Sequence, residues 1–285
     1  MFPLCFIDWN VDPVFFHIGN FAVRYYSLFF AIAFWLGYVI TDKFFRDQKV
    51  PEGVLDKVFF IIIVATVIGS RLGHCLFYGW DYYSQHPLEI LQVWKGGLAS
   101  HGGTIAIIIS LIWFSVRVIH KNALWILDNV CVPIALAAFF IRMGNLMNSE
   151  IVGMPTDVPW AFRFLRLHPD EALIPRHPTQ IYEALFYLAT FGLLWFLYWK
   201  KRLVARHGAL FGIFMVCIFG FRIFIELFKE NQESFEDAMT LNLGQWLSIP
   251  MVIIGVASIV YAFTREPDEY YFSETKDAKS NAKKK

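Results

Sequence analysis

Long apolar runs alternate with short polar breaks along most of the chain. Seven runs approach the roughly 20 residues that cross a bilayer core as a helix. They are Phe21–Ile40, Val58–Phe77, Thr104–Val118, Trp125–Met147, Gln180–Trp199, Ala209–Phe228 and Leu243–Phe263. The third is short and is expected to begin inside the glycine-rich stretch ahead of it. The pattern predicts an all-α polytopic membrane protein of about seven transmembrane helices, with a small loop region at 149–177. Residues 1–265 are expected to form one integral membrane domain. Residues 266–285 make a polar, lysine-rich tail with too little apolar surface to fold.

The basic residues orient these spans. One set of alternate breaks holds Lys43, Arg46, Lys49, Lys57, Arg117, Lys121, Lys200, Lys201, Arg202, Arg206, Arg265 and the tail lysines. The opposite set holds Lys95, Arg163, Arg166, Arg176 and Lys229. The positive-inside rule then puts the amino terminus outside and the carboxyl terminus in the cytoplasm. An odd number of spans agrees with that alternation.

Composition strengthens the membrane reading. Charged residues are 17% of the 285, against about 25% in soluble domains. A net charge of +1 argues against a nucleic-acid partner. The first twenty residues carry Asp8 and Asp12 and no basic run, which does not fit a cleavable signal peptide. Cys5, Cys75, Cys131 and Cys217 are scattered, with no zinc-type spacing and no evident pairing.

The polar residue that asks most for an explanation is Arg142, which ends an apolar run from Val130 to Ile141. An arginine at mid-bilayer costs roughly 2.5–3.5 kcal/mol on translocon scales, a cost that marks a site or a buried partner. Arg142 and Asn145 share a helix face at i, i+3, and no carboxylate lies close in sequence. The alternation of spans gathers further polar clusters at the same outer end. These are Arg24-Tyr25-Tyr26, Arg71 with His74, the stretch Gly96 to Gly103 around His101, Arg176 to Glu183, and Arg222 with Glu226. Each also has a structural reading. Gly96, Gly97, Gly102 and Gly103 suit close helix packing or a re-entrant turn as well as they suit lipid approach. His101 is balanced between structure and chemistry. Arg222 and Glu226, at i, i+4, suit a self-neutralising pair. Pro178 suits the first turn of a helix, Tyr25, Tyr26, Trp80, Tyr82 and Tyr83 an aromatic belt, and Arg71 a snorkel to the headgroups.

The stretch Arg142-Met-Gly-Asn-Leu-Met-Asn-Ser-Glu-Ile-Val-Gly153 closely resembles the signature Gly-Arg-x-Gly-Asn-Phe-Ile-Asn-x-Glu-x-x-Gly of the prolipoprotein diacylglyceryl transferases. Ile141 stands where that pattern has glycine, and Leu146-Met147 where it has an aromatic–aliphatic pair. Further similar blocks follow in the family's order over residues 20–230. They are Val23-Arg-Tyr-Tyr-Ser27, Gly69-Ser-Arg-Leu-Gly73, Gly97-Leu-Ala-Ser-His-Gly-Gly103, His177-Pro-Thr-Gln-Ile-Tyr-Glu183 and Phe221-Arg-x-x-x-Glu226. The family's Arg-x-Pro-Asp after the last block is replaced by Lys229-Glu-Asn-Gln232, which keeps a charge without a bidentate fork.

The resemblance implies transfer of a diacylglyceryl group from phosphatidylglycerol to the lipobox cysteine of a prolipoprotein, in a bacterial cytoplasmic (inner) membrane. The expected partners are that lipid and the signal peptides of the precursors, and the expected cofactor or metal is none. On this reading Arg142 and Arg222 anchor the phosphodiester and His101 is the base candidate. Tyr26, Asn145 and Asn148 orient the headgroup, Gly102 and Gly103 let lipid approach, Glu150 and Gly153 shape the outer wall, and Glu226 fixes Arg222. A solute transporter, a metal-dependent phosphatidyl transferase and a lipid-binding scaffold are the other classes. The absence of repeated halves speaks against the first, and the absence of an aspartate cluster against the second. Turnover separates an enzyme from the third.

Overall fold

The computed structural model describes residues 6–19, 21–230 and 239–271, so most of the lysine-rich tail lies outside the described residues. The elements, in chain order, begin with three strands, β1 (Ile7–Trp9), β2 (Val14–Ile18) and β3 (Phe21–Arg24). Helices α1 (Tyr25–Asp47), α2 (Val54–Phe77), α3 (Trp80–Tyr83), α4 (Ser100–Arg117) and α5 (Ala123–Met147) follow. Then come β4 (Phe162–Phe164), α6 (Pro169–Ala172), β5 (Pro175–Arg176), α7 (Thr179–Lys201), α8 (Ala209–Ile225) and α9 (Leu243–Phe263), with short 3-10 turns between several of them.

The chain is a polytopic, mainly helical membrane protein. Among the described residues, α1, α2, α5, α7, α8 and α9 are long and apolar enough to cross a membrane, α8 with the 3-10 turn Glu226–Phe228 that extends it. The remaining expected span is α4, which is apolar but shorter. The first helix starts later than its hydropathy suggests. Phe21–Arg24 pairs antiparallel with Val14–Ile18 as a hairpin, and the helix takes over at Tyr25. A short apolar run reads alike as strand or helix, which is why hydropathy assigned Phe21–Arg24 to the span.

Two compact units divide the chain, one of residues 1–40 and 130–267, the other of 41–129 and 268–285. In the first, β4 lies between β1 (parallel) and β5 (antiparallel) in a small sheet. Phe162 and Phe164 point into a core with Leu146 from the last turn of α5, covered by Trp9, Val152, Leu167 and Ile181. The Trp9 indole donates to the Leu146 carbonyl at 3.0 Å, which ties the sheet to the end of α5. Helices α8 and α9 approach closely at two glycines. A Cβ on Gly212 would stand 2.6 Å from the Gly255 carbonyl oxygen, so backbone meets backbone there.

The second unit rests on a similar contact between α2 and α4. A Cβ on Gly73 or on Gly102 would lie 2.7 Å from the other's Cα, and one on Gly103 2.5 Å from Ser70 Oγ. Arg71 does not snorkel; it is 3% exposed. Its guanidinium donates to the carbonyls of Glu89 (2.6 Å), Ile90 (2.9 Å) and Gly96 (2.7 Å), and lies over the Tyr83 ring. Backbone oxygens replace the water a buried guanidinium would lose, so Arg71 folds the 79–97 connection. At the opposite end of α2, Gln48 is buried between Asn129 Oδ1 (2.5 Å) and the Trp125 indole (2.8 Å). Cys75, Cys131 and Cys217 are not joined in disulfides.

Candidate active site

Helix α5 ends in a way that explains its polar motif. Ser149 takes a left-handed φ of 55°, its N–H bonds the Leu146 carbonyl at 3.0 Å and the Glu150 N–H the Asn145 carbonyl at 2.9 Å, so two orphan carbonyls of the helix end are satisfied. That reversal folds Glu150 over the last turn. Its carboxylate accepts from Asn145 Nδ2 and Asn148 Nδ2, each at 3.1 Å. Asn145 Oδ1 in turn accepts from Arg142 Nη1 at 3.2 Å, the i, i+3 contact expected from the spacing. Gly144 leaves room for Tyr26: a Cβ there would meet that ring at 2.6 Å. Arg142, Asn145, Asn148, Glu150 and Tyr26 therefore form one cluster.

The partner of Arg142 comes from α7. Glu183 is fully buried and its Oε2 lies 3.0 Å from Arg142 Nε, an ion pair by distance without hydrogen-bond alignment. Its Oε1 accepts from Lys229 Nζ at 3.0 Å and from the Tyr187 hydroxyl at 3.1 Å. Lys229 also reaches Glu226 Oε1 at 3.3 Å, and Arg222 Nε lies 3.4 Å from that same oxygen. The result is a ladder of alternating charge, Arg142–Glu183–Lys229–Glu226–Arg222, drawn from α5, α7, α8 and the turn after α8. Its middle is dry, with side-chain exposures of 0% for Glu183 and 3% for Lys229. Its ends open, at 16% for Arg142 and 39% for Arg222. Three cations against two carboxylates give the ladder itself a net charge of +1, with an arginine at each end and the Glu150 carboxylate one amide away from Arg142.

Backbone contacts hold this arrangement to the loop that follows α5. Thr179 Oγ1 and Gln180 Nε2, in the first turn of α7, donate to the carbonyls of Ile151 (3.1 Å) and Glu150 (2.6 Å). Pro178 sits one residue ahead of α7, not inside its first turn. Gly153 bridges Lys229, its N–H bonds the His177 carbonyl at 3.0 Å, and the Met154 N–H bonds the Phe228 carbonyl at 2.8 Å. A Cβ on Gly153 would stand 2.6 Å from that His177 oxygen. Arg176, 3% exposed, pairs with Glu171 and Glu230 around the same strand.

Burial against Phe228 and Tyr182 pushes the His177 imidazole below its ordinary value. The neutral form is thus favoured by folding, and its contribution is present above the ordinary imidazole value of about 6.5 and is lost as pH falls below it. Melting temperature in detergent should fall more steeply between pH 7.5 and 5 for the parent chain than for His177→Gln. Parallel curves would show that this ring carries no such linkage.

In the second unit, His101 is the second residue of α4 and is exposed. Its ring meets Phe77 edge-on at 5.4 Å and Tyr78 at 5.6 Å between centroids. Among the described residues it has no hydrogen-bond partner. Gly102 and Gly103 beside it are consumed by the contact with α2.

Comparison with known proteins decides the family. Residues 13–261 match the family described as prolipoprotein diacylglyceryl transferase. The chain is 44% identical over 254 residues to a phosphatidylglycerol–prolipoprotein diacylglyceryl transferase of Chloroherpeton thalassium, covering 89% of this chain and 93% of that one. Proteins of the same name from Bacteroides fragilis and Porphyromonas gingivalis are also 44% identical, covering 88% and 90% of this chain and 93% and 95% of theirs. The chain belongs to the prolipoprotein diacylglyceryl transferase family.

In this diacylglyceryl transferase, five residues named from the sequence, Tyr26, Arg142, Asn145, Asn148 and Glu150, lie together around the end of α5, and three others that extend this cluster were passed over. Glu183 appears in the sequence only as the last residue of a motif, without a task of its own. Lys229 stands out in the sequence only as a departure from the family pattern, and Tyr187 carries no signal there. The signal for Glu183 was present: a carboxylate four residues into an apolar span needs a cation, and Arg142 needed an anion. Among the described residues no group of three or more His, Cys, Asp or Glu could hold a metal ion.

Proposed function

We propose that this chain transfers the sn-1,2-diacylglyceryl group of phosphatidylglycerol to the lipobox cysteine thiol of prolipoproteins, the first step of lipoprotein maturation. The setting is a bacterial cytoplasmic membrane, with the amino terminus outside and the carboxyl terminus in the cytoplasm. The names of its relatives support the reaction. The single structural observation that carries it is the ladder with a dry middle and an arginine at each more open end, because the donor headgroup is a monoanionic phosphodiester. The excess of basic residues in alternate connections supports the orientation.

The chemistry follows from bond accounting. The cysteine loses its S–H proton to a base, and sulfur bonds the glyceryl carbon next to the phosphate. The carbon–oxygen bond breaks, its electron pair stays on the phosphate oxygen, and the products are a thioether and glycerol phosphate. Charge on the phosphate grows as that bond breaks. Guanidinium groups held in place by buried carboxylates stabilise the later charge more than the earlier one, which is what lowers a barrier. Arg142 and Arg222 take this role. Asn145, Asn148 and Tyr26 orient the headgroup hydroxyls, with Glu150 holding both amides. His101 accepts the thiol proton. Gly102 and Gly103 hold the backbone that presents it, and Gly153 closes the wall behind Lys229.

The test combines purified protein, phosphatidylglycerol and a lipobox peptide with one cysteine, read by mass spectrometry. A diacylglyceryl adduct is expected on the cysteine peptide and none on its serine counterpart. Folded protein with lipid and no adduct would overturn the reading. In the same assay His101→Ala should lose about 10²–10⁴-fold in rate, the usual worth of a general base, while retaining lipid. Loss of lipid binding instead would make His101 a pocket residue.

A further inference from the structure

The first turn of α9 touches the ladder through a contact to which the chemistry above gives no role. Asn242 precedes that helix and caps it: its Oδ1 accepts from the Gln245 N–H at 2.9 Å, and Gln245 Oε1 accepts from the Asn242 N–H at 3.2 Å. A cap of this kind needs only the side-chain oxygen. The remaining amide nitrogen donates to Glu226 Oε2 at 3.1 Å. The amide can face only one way. Turned over, its oxygen would meet a carboxylate and its NH2 the Gln245 N–H.

Two neighbours press the same carboxylate into place. A Cβ on Gly244 would lie 2.8 Å from both Cδ and Oε1 of Glu226, so that position admits the carboxylate only as glycine. Gln245 Nε2 donates to the Ile223 carbonyl at 3.1 Å, joining the cap to the last turn of α8. Glu226 thus divides its oxygens. Oε1 accepts from Lys229 and pairs with Arg222 by distance, without hydrogen-bond alignment, and Oε2 serves Asn242. Rotation about its last bond breaks both sets at once.

We propose that Asn242 is a positioning residue: it fixes the plane of the Glu226 carboxylate and thereby sets where Arg222 presents its guanidinium. It touches no substrate and acts through Glu226. The inference rests on the transferase reading above. The charged groups facing Glu226 are Arg222 from α8 and Lys229 from the turn after it, with Glu183 of α7 beyond Lys229; the first turn of α9 has no acidic residue.

Two variants keep the cap and remove the donor. Asn242→Ser retains a capping oxygen but does not reach Glu226. It is expected to melt near the parent and to lose about tenfold in kcat, with a smaller change in KM for phosphatidylglycerol, as for a misplaced group near the reacting centre. Asn242→Asp sets a second carboxylate against Glu226. Its turnover relative to the parent should rise at least about fivefold from pH 8 to 5.5, as a shared proton rebuilds the donor. A serine variant with parental kcat and an aspartate variant with a flat ratio would overturn the proposal, leaving Asn242 a cap alone. If the serine variant fails to fold, the aspartate ratio decides. If the parent forms no adduct, the transferase reading falls. The melting temperature of Asn242→Asp relative to the parent then decides the contact: a rise toward acid supports it, and a flat difference overturns it.

Discussion

Lys229→Met is expected to lower stability by about 3–5 kcal/mol, the usual cost of removing one partner from a buried ion pair. The size follows from what the lysine touches. Nζ stands 3.0 Å from Glu183 and 3.3 Å from Glu226, and the three side chains are 3%, 0% and 10% exposed. Without the ammonium, Glu183 keeps only Arg142 and Glu226 only Arg222 as cations, and the buried oxygens that faced Nζ lose their charged donor. A rescue experiment tests this. Lys229→Met/Glu183→Gln should recover a large part of the loss, because the amide needs no counterion, and the two effects should fail to add. Thermal or denaturant unfolding in detergent measures both. A single variant with parental stability would mean that the lysine is not bridging the two carboxylates.

Arg142→Gln should reduce turnover by about 10²–10³-fold, the scale set by losing one preorganised stabiliser of developing negative charge. Part of that loss has a structural source, because Glu183 would be left with Lys229 as its cation. Arg142→Lys resolves the two contributions. It restores a charge beside Glu183 but not a planar fork for phosphate oxygens. The expected pattern is near-parental melting with turnover still reduced by about tenfold or more. If lysine restores both, the residue serves as a counterion for Glu183 and the phosphodiester is held elsewhere. Adduct formation on the lipobox peptide and melting of the same preparations give the two readings.

The membrane spans were legible because hydrophobicity alone decides them, and six of the seven expected runs are helices long enough to cross. The Arg142–Asn145 contact was legible because it follows from helical spacing. Glu183 was harder to read, since α5 and α7 meet only in space and an ion pair between them leaves no local period. The same limit hid Asn242, whose cap pattern is visible in sequence but whose second hydrogen bond goes to another helix. The small sheet was missed for a different reason. Strands of three to five residues carry too few alternations to be told from loop, and Phe21–Arg24 merged with the apolar run that follows it. Arg71 was misread because the backbone carbonyls that hold it have no sequence signature.

The ladder also bears on how the chain is made. Arg142 leaves the ribosome 41 residues ahead of Glu183 and 87 ahead of Lys229. During that interval α5 carries an arginine with no anion, at a cost of roughly 2.5–3.5 kcal/mol if it sits at depth. Each later helix then delivers a charge that the earlier one lacks. Completion of the ladder thus follows the order of synthesis: a nascent chain that stops before α7 holds Arg142 without the anion that answers it in the finished fold.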